Sequence, residues 1–319
     1  MSSQPLVSVI TPSFNQAAYL EQTICSVLEQ DYPRLEYWVI DGGSTDGSLE
    51  IIQKYAHDLA GWVSETDRGQ ADAINKGFQR ASGEIIAWLN SDDIYYPGAV
   101  SAAVAAFKSN PHAGLVFSDV DSIDETGKTF NRMCYGDWGL ADLMAFKIIG
   151  QAGVFMRRSA FEQAGMLDID YHFLLDHHLW LRIGLVAALA YVPGEPWAAA
   201  RFHAAAKNVA LAAQFGEEAY RLAAWMEDSP EFSLLMSPIQ RRVWAGAHRL
   251  NAFYLLDGNQ PRAALSAYWK SFLQYPPTVL RDWSRILYAL LSPLGLGGLR
   301  KAYHRWRRAH YQRKMDGGR

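Results

Sequence analysis

Along the first 120 positions, apolar residues fall into short runs separated by polar clusters, and the runs are of two kinds. Leu6–Ile10, Leu35–Ile40, Gly61–Ser64, Ile85–Leu89 and Gly114–Ser118 are brief and largely β-branched or aromatic, which predicts strands. Between them Leu20, Ile24, Val27 and Leu28 recur at helical spacing, as do Leu49, Ile51, Ile52 and Tyr55. Ala71–Ala81 and Ala99–Phe107 complete a strand–helix alternation, which predicts α/β layering on a mostly parallel sheet. In open sheets of that kind ligands bind at the carboxyl ends of the strands. The polar clusters Thr11–Asn15, Asp41–Asp46, Glu65–Gln70 and Asn90–Asp93 fall at those ends.

The pattern continues with a strand at Gly153–Met156, a helix from Ser159, a helix over Leu179–Leu185 and a strand at Ala188–Val192. From about residue 212 only helical periodicity remains. Ala245–Leu256 and Ala263–Phe272, joined across Gly258-Asn259, read as one helical hairpin with no second copy, so no repeat is assigned. We expect a domain over 1–210 and an α-helical C-terminal extension over 211–319.

Composition alters this picture little: of 319 residues, half are hydrophobic and a fifth charged. The net charge of -3 hides an asymmetry, because residues 283–315 hold eight Lys/Arg and no acid. The remainder carries 22 basic and 33 acidic residues, so an acidic body bears a basic tail. In that tail Leu299, Tyr303, Trp306 and His310 recur at helical spacing among the bases, and with Trp283–Leu296 they suggest an interfacial helix pair on anionic membrane. A packed helix with a solvated basic face fits the same pattern, whereas nothing else in the chain points to nucleic acid. Cys25 and Cys134 offer no disulfide framework or zinc site, which suits a reducing compartment. The N-terminus lacks the basic and apolar regions of a secretory signal, and Ile286–Leu299 is too short and broken to span a bilayer. The expected location is cytoplasmic, peripheral to the inner membrane face.

The candidate chemistry lies at the strand ends. Two adjacent acids, Asp92 and Asp93, after a buried run are costly unless a cation or hydrogen-bond donors meet them. A hard divalent cation carrying a phosphate suits them, and so does a plain strand-end turn. Neither a G-x-G-x-x-G nor a G-x-x-x-x-G-K-[ST] loop is present, which removes the usual dinucleotide and P-loop readings. Asp41 stands where a base N–H or ribose hydroxyl could donate to it, and Asp46 reads as a helix cap before Ser48–Ile52.

Three segments together, Val7–Asn15, Asp41–Gly47 and Trp88–Asp93, resemble the family 2 glycosyltransferases, and the likeness runs in order over about residues 5–205. The resemblance implies a GT-A fold: a Rossmann-like nucleotide-binding half and a mostly parallel central sheet with helices on both faces. It implies an inverting, non-processive transfer from a nucleotide-diphosphate sugar to a hydroxyl of a glycan or lipid-linked acceptor. Cell-surface polysaccharide or glycoconjugate synthesis is the implied setting. Carried over, Thr11, Pro12, Ser13 and Asn15 flank base and ribose, Asp41 binds the base, and Asp67 contacts the nucleotide with Asp72 nearby. The family's D-x-D falls on Asn90-Ser91-Asp92, so Asn90 replaces the first acid. Asp92 is then the ligand to Mg²⁺ or Mn²⁺, with Asp93 beside it and turned towards the sugar.

Arg201-Phe202-His203 resembles a family segment whose histidine sits near the metal, so His203 is a second candidate ligand; as a residue it also reads as a surface histidine. Lys207 is a candidate charge against the diphosphate. Leu174–Arg182 resembles the block that carries the general base, which places that role on Asp176; capping of the following helix is compatible with it. Gln151 and His178 are weaker acceptor contacts. Processive synthases carry Q-x-x-R-W, which Gln240–Trp244 misses, and nucleotidyl transfer needs a basic glycine-rich loop that Thr11–Asn15 lacks. A non-catalytic nucleotide-sugar-binding protein is the alternative.

Overall fold

A computed structural model describes residues 4–203, 211 and 214–292. Lys207 and the basic segment 293–315 lie outside the described residues. Two compact units comprise residues 1–123, 133–139 and 149–201, and residues 124–132, 140–148 and 202–319.

The first unit is built on seven strands. β1 (Val7–Ser13), β2 (Leu35–Asp41), β3 (Gly61–Ser64), β4 (Ile85–Trp88), β6 (Ala113–Ser118), β9 (Val154–Arg157) and β10 (Ala188–Val192) lie in the order β10-β6-β9-β4-β1-β2-β3. β1 pairs in parallel with β2 and β4, β2 with β3, and β6 with β10. β9 alone runs antiparallel, between β4 and β6. The helices between these strands are α1 (Ala17–Leu28), α2 (Ser48–Lys54), α3 (Gln70–Arg80), α4 (Ala99–Ser109), α6 (Arg158–Ala164) and α7 (Leu175–Val186).

Successive residues of one strand feed two cores. Val7 and Val9 of β1 and Ile85 and Ala87 of β4 join Leu20, Ile24, Ile52, Val100 and Val104 of α1, α2 and α4. On the other face, Trp88 stacks on Trp180 of α7 at 5.2 Å, and Phe78 of α3 meets Trp88 and Phe161 edge-on. Strands covered on both faces need apolar residues at every position, which is why their sequence runs are continuous. A glycine lets α3 approach this sheet. A Cβ at Gly77 would lie 2.3 Å from Cγ2 of the fully buried Ile10.

A second, small sheet joins β5 (Ile94–Tyr95), β11 (Ala198–Arg201) and β7 (Val120–Ile123), with β11 antiparallel to β5 and parallel to β7. Two-residue β5 and alanine-rich β11 carry too little pattern to be read from sequence, and the expected helix at Leu179–Leu185 begins four residues earlier at Leu175.

The second unit holds α5 (Leu140–Met144), α8 (Phe215–Asp228), α9 (Pro230–Met236), α10 (Gln240–Asp257), α11 (Pro261–Gln274), α12 (Pro277–Leu280) and α13 (Trp283–Leu291). The expected hairpin is α10–α11, turned at Asn259 with φ of 61°. Its interior is small: Ala252, Ala267, Tyr268 and Val279 form one cluster, and Leu256, Ala264 and Ala289 another. Ion pairs reinforce it, with Arg285 bonded to Asp257 at 2.7 Å and Arg249 to Asp282 at 2.8 Å.

Gly77→Val forces a branched side chain into the fully buried Ile10, so we expect a loss of about 1–3 kcal/mol by overpacking. A reversible thermal melt checks it; an unchanged Tm would show that α3 is free to move off the sheet.

Candidate active site

The carboxyl ends of β1, β2 and β3 bring Ser13, Asp41 and Ser64 into one cross-strand row. Asp41 is fully buried, and its carboxylate accepts the N–H of Gly43 at 3.1 Å, the N–H of Ser44 at 2.9 Å and the hydroxyl of Ser64 at 2.7 Å. The Ser44 hydroxyl also donates to it. This carboxylate therefore organises the 42–44 turn, where Gly43 takes a φ of +83° that suits glycine. Asn15, itself at a φ of 52°, clamps the same turn: its N–H donates to the Ser44 hydroxyl at 2.8 Å and its Oδ1 accepts from Thr45 N–H at 2.9 Å. Asp46 stands one residue before Gly47, the N-cap of α2, and accepts the N–H of Ala17 at 2.9 Å and of Ser48 at 3.1 Å.

Thr11 corrects an expectation. Its hydroxyl lies 2.9 Å from the buried Tyr37 hydroxyl, within the core, because alternation along β1 turns it under the helices instead of towards a nucleotide. Pro12 is buried beside it. Ser13 is buried too, and its hydroxyl has no hydrogen-bond partner among the described residues. Phe14, in contrast, is 60% exposed.

The 65–76 segment supplies three acids, Glu65, Asp67 and Asp72, and two bases, Arg68 and Lys76. Asp67 accepts Gly69 N–H on Oδ1 at 2.8 Å, while Oδ2 crowds Gly42, where a Cβ would come within 2.6 Å of it and 3.3 Å of the Phe14 ring. Phe14, Gly42 and Asp67 thus adjoin one another. Asp72 accepts from the Arg68 main chain and guanidinium, both at 3.1 Å, and lies 3.5 Å from Lys76. Burial pushes its carboxyl up, but the Arg68 bonds and the Lys76 charge outweigh that and hold it below the usual range. Asp72 is accordingly a holder of Arg68.

At the end of β4 the side chains form a relay. Gln70 donates to Asn90 Oδ1 at 2.7 Å, Asn90 donates to Asp93 Oδ2 at 3.1 Å, and the Arg201 main chain donates to Asp93 Oδ1 at 2.9 Å. Arg201, buried beneath the corner, donates to the Asp92 carbonyl at 2.9 Å and to Gln22 at 2.6 Å. Asp93 is 5% exposed and faces inward, which corrects the expectation that it turns towards a sugar: both its oxygens are held by protein donors. Burial and then the neighbouring Asp92 push its carboxyl well above the usual range, against the Arg201 and Asn90 contacts. Asp92 is half-buried at the same corner.

Across the sheet, Gln151 donates to the Trp88 carbonyl at 2.6 Å, and its Oε1 is buried with no hydrogen-bond partner among the described residues. Gly150 beside it donates to the Tyr135 hydroxyl at 2.9 Å. Burial drives the Tyr135 phenol far up, and although the Gly150 bond lowers it, charges on Asp119, Cys134 and Asp176 raise it further. Asp176 stands in the first turn of α7, where the helix dipole favours a carboxylate. His178 is buried, with its ring 4.3 Å from that of Tyr171. His203 is also buried. Among the described residues, no group of three or more His, Cys, Asp or Glu is arranged to hold a metal ion.

Known proteins resemble this chain in sequence and in fold. Residues 8–186 match the family described as Glycosyl transferase family 2. The chain belongs to that family. An uncharacterized glycosyltransferase of Nostoc sp. is 36% identical over 129 residues, 40% of each chain. The putative teichuronic acid biosynthesis glycosyltransferase TuaG of Bacillus subtilis is 32% identical over 52% of this chain and 66% of its own. The chain thus spans less than two thirds of each of these two relatives. Among solved structures, S. aureus TarS 1-349 in complex with UDP superposes with a TM-score of 0.61 at 17% identity, covering 98% of this chain and 92% of that one. Mannosyltransferase PcManGT from Pyrobaculum calidifontis, in complex with GDP-Man and Mn2+, gives 0.61 at 22% identity over 97% and 86%. The fold is the GT-A type.

Within this family 2 site, four residues were not legible beforehand as site builders: Phe14, Tyr135, Arg201 and Asp119, which accepts from Tyr135 N–H and the Tyr191 hydroxyl at 2.9 Å. Phe14 gave a signal as an aromatic inside a polar strand-end cluster, and Arg201 lay in the segment singled out for His203. Asn90→Asp would replace a donor 3.1 Å from Asp93 with a second carboxylate. We expect it to lower stability at neutral pH by about 1–3 kcal/mol, through a lost hydrogen bond and like-charge repulsion. Equal denaturant midpoints for variant and wild type would show that the relay is not needed.

Proposed function

We propose that the protein is an inverting glycosyltransferase that moves a sugar from a nucleotide-diphosphate donor to a hydroxyl of a glycan or lipid-linked acceptor. Cell-surface polysaccharide or glycoconjugate synthesis is the setting its relatives' names suggest. The observation that carries the reading is the row of strand ends: an ordered polar turn, an exposed aromatic and an acidic corner on one edge of one sheet. The nucleobase stacks on Phe14, while Asp67 and the Asp41-ordered turn take its N–H and the ribose hydroxyls. Arg68, steered by Asp72, faces the diphosphate.

The donor set at the corner fits a divalent ion shared with the ligand. Asp92, part-buried at the corner, would be the carboxylate that holds Mg²⁺ or Mn²⁺ there. When bound, the ion neutralises charge on the departing diphosphate. Asp176 is the general base. As the acceptor oxygen bonds to C1, its proton passes to the Asp176 carboxylate. The C1–O bond to the diphosphate breaks and its electron pair leaves with the nucleotide. Attack opposite the leaving group inverts C1. The buried, unpartnered Oε1 of Gln151 is the atom that would accept from an acceptor hydroxyl.

Asp176→Asn is expected to cut transfer by about 10²–10⁴-fold with donor affinity unchanged. Undiminished turnover would remove the base, and donor binding without turnover in wild type, tested against a panel of hydroxyl acceptors, would favour a binding protein. Asp92→Ala should abolish the difference in donor affinity that calorimetry reads with and without chelator.

A further inference from the structure

Exposed apolar side chains are concentrated on the last described helices. On α11, Trp269, Phe272 and Leu273 follow i, i+3, i+4 spacing opposite buried Ala264, Ala267, Tyr268 and Ser271, with Trp269 60% exposed. The Trp269 and Phe272 rings stack at 5.6 Å, so the stripe is continuous. On α13, Trp283, Leu287 and Leu290 repeat the arrangement opposite buried Arg285 and Ala289, with Trp283 63% exposed. Leu280, 65% exposed, stands between them on α12. Large apolar residues in such numbers are not random surface; they mark a face that meets something.

Charge selects the partner. From Pro261 to Ser292 the one acid is Asp282, which is buried against Arg249, while Arg262, Lys270 and Arg281 are exposed. The sequence after Ser292 adds Arg300, Lys301, Arg305, Arg307, Arg308, Arg313, Lys314 and Arg319 against Asp316 alone. A second copy of this chain, docked face to face, would set bases against bases. Folding the basic tail over the face would do the same. A bilayer with anionic headgroups offers the complement: apolar depth for Trp and Leu, and negative charge for the bases around them. Tryptophan and tyrosine at the water boundary beside Lys and Arg are the composition that interfacial segments use. No helix among the described residues is long and apolar enough to cross a membrane, so the contact is with the surface.

We propose that the α11–α13 face is the seat by which this protein rests on an anionic membrane. The seat stands independently of the proposed transfer chemistry. If the acceptor is lipid-linked, it confines the enzyme to the plane that holds the acceptor, so encounter becomes two-dimensional.

The test uses the full chain in vesicle co-sedimentation. Wild type is expected to partition onto phosphatidylcholine–phosphatidylglycerol vesicles and much less onto phosphatidylcholine alone. Trp283→Ser with Leu287→Ser changes two exposed side chains, so the melt should be unaltered while partitioning to anionic vesicles falls about tenfold or more. Trp269→Ser with Leu273→Ser, on the other helix, should do the same, so that if one pair alters the melt the other still decides. Donor affinity should be unchanged in both, which separates this result from any failure of the transfer reading. The proposal is overturned if both pairs sediment like wild type, even where neutralising Arg300, Lys301 and Arg305 releases the protein, since the tail alone would then hold it. It is equally overturned if wild type ignores anionic vesicles, including the case where light scattering shows a dimer that the paired variants dissociate.

Discussion

Asp93 accepting the main-chain N–H of Arg201 joins two points 108 residues apart, and the acidic corner depends on it. A buried carboxylate is tolerated only where donors converge on it. Here Asn90 and Arg201 supply them, while the Asp93 carbonyl accepts the Thr23 hydroxyl at 2.7 Å. The same arginine reaches the Asp92 carbonyl and Gln22, and its guanidinium lies over Tyr19 at 4.8 Å. One residue at the end of β11 thereby fixes the loop after β4 to α1. Asp92 inherits its place from this clamp, since its neighbour cannot turn outward without abandoning two hydrogen bonds.

Several acids of the site are committed to building it. Asp41 spends its carboxylate on a turn, Asp46 on two helix starts, Asp72 on Arg68 and Asp93 on the corner. Adjacent acids in a sequence look equivalent, yet the turn between β4 and β5 buries one more deeply than the other. Asp92 and Asp93 are the clearest pair. This is why a motif of several acids carries far fewer reactive carboxylates than it has letters.

Much of the sheet was legible because its strands are covered on both sides and so read as unbroken apolar runs; Ile85–Leu89 is such a run. The order of polar strand ends was legible for the same reason, since each follows a strand. What escaped depends on pairing between distant segments. The antiparallel sense of β9, the β5–β11–β7 sheet and the burial of Thr11 against Tyr37 follow from register, which no local pattern records. Tyr135 sits in a stretch without periodicity, and Arg201 ends a strand of three alanines, so neither announced its contacts. In the second unit the hairpin was legible from its turn, whereas the buried Arg285 over Phe253 at 3.6 Å was not, because a basic residue in an amphipathic helix ordinarily faces water.

Asn90 is one position where this chain departs from the D-x-D that the resemblance implies, and the relay gives that departure a physical reason. Asn90 must accept from Gln70 and donate to Asp93 at once. A carboxylate can do the first and not the second while ionised. It would also add a third negative charge beside Asp92 and a carboxyl that burial already pushes up. With Asp93 turned inward as a structural member, an amide at position 90 keeps the corner at a charge its donors can balance. The consequence is local: the corner holds its buried acid with donors of its own, the Asn90 amide on one oxygen and the Arg201 main chain on the other.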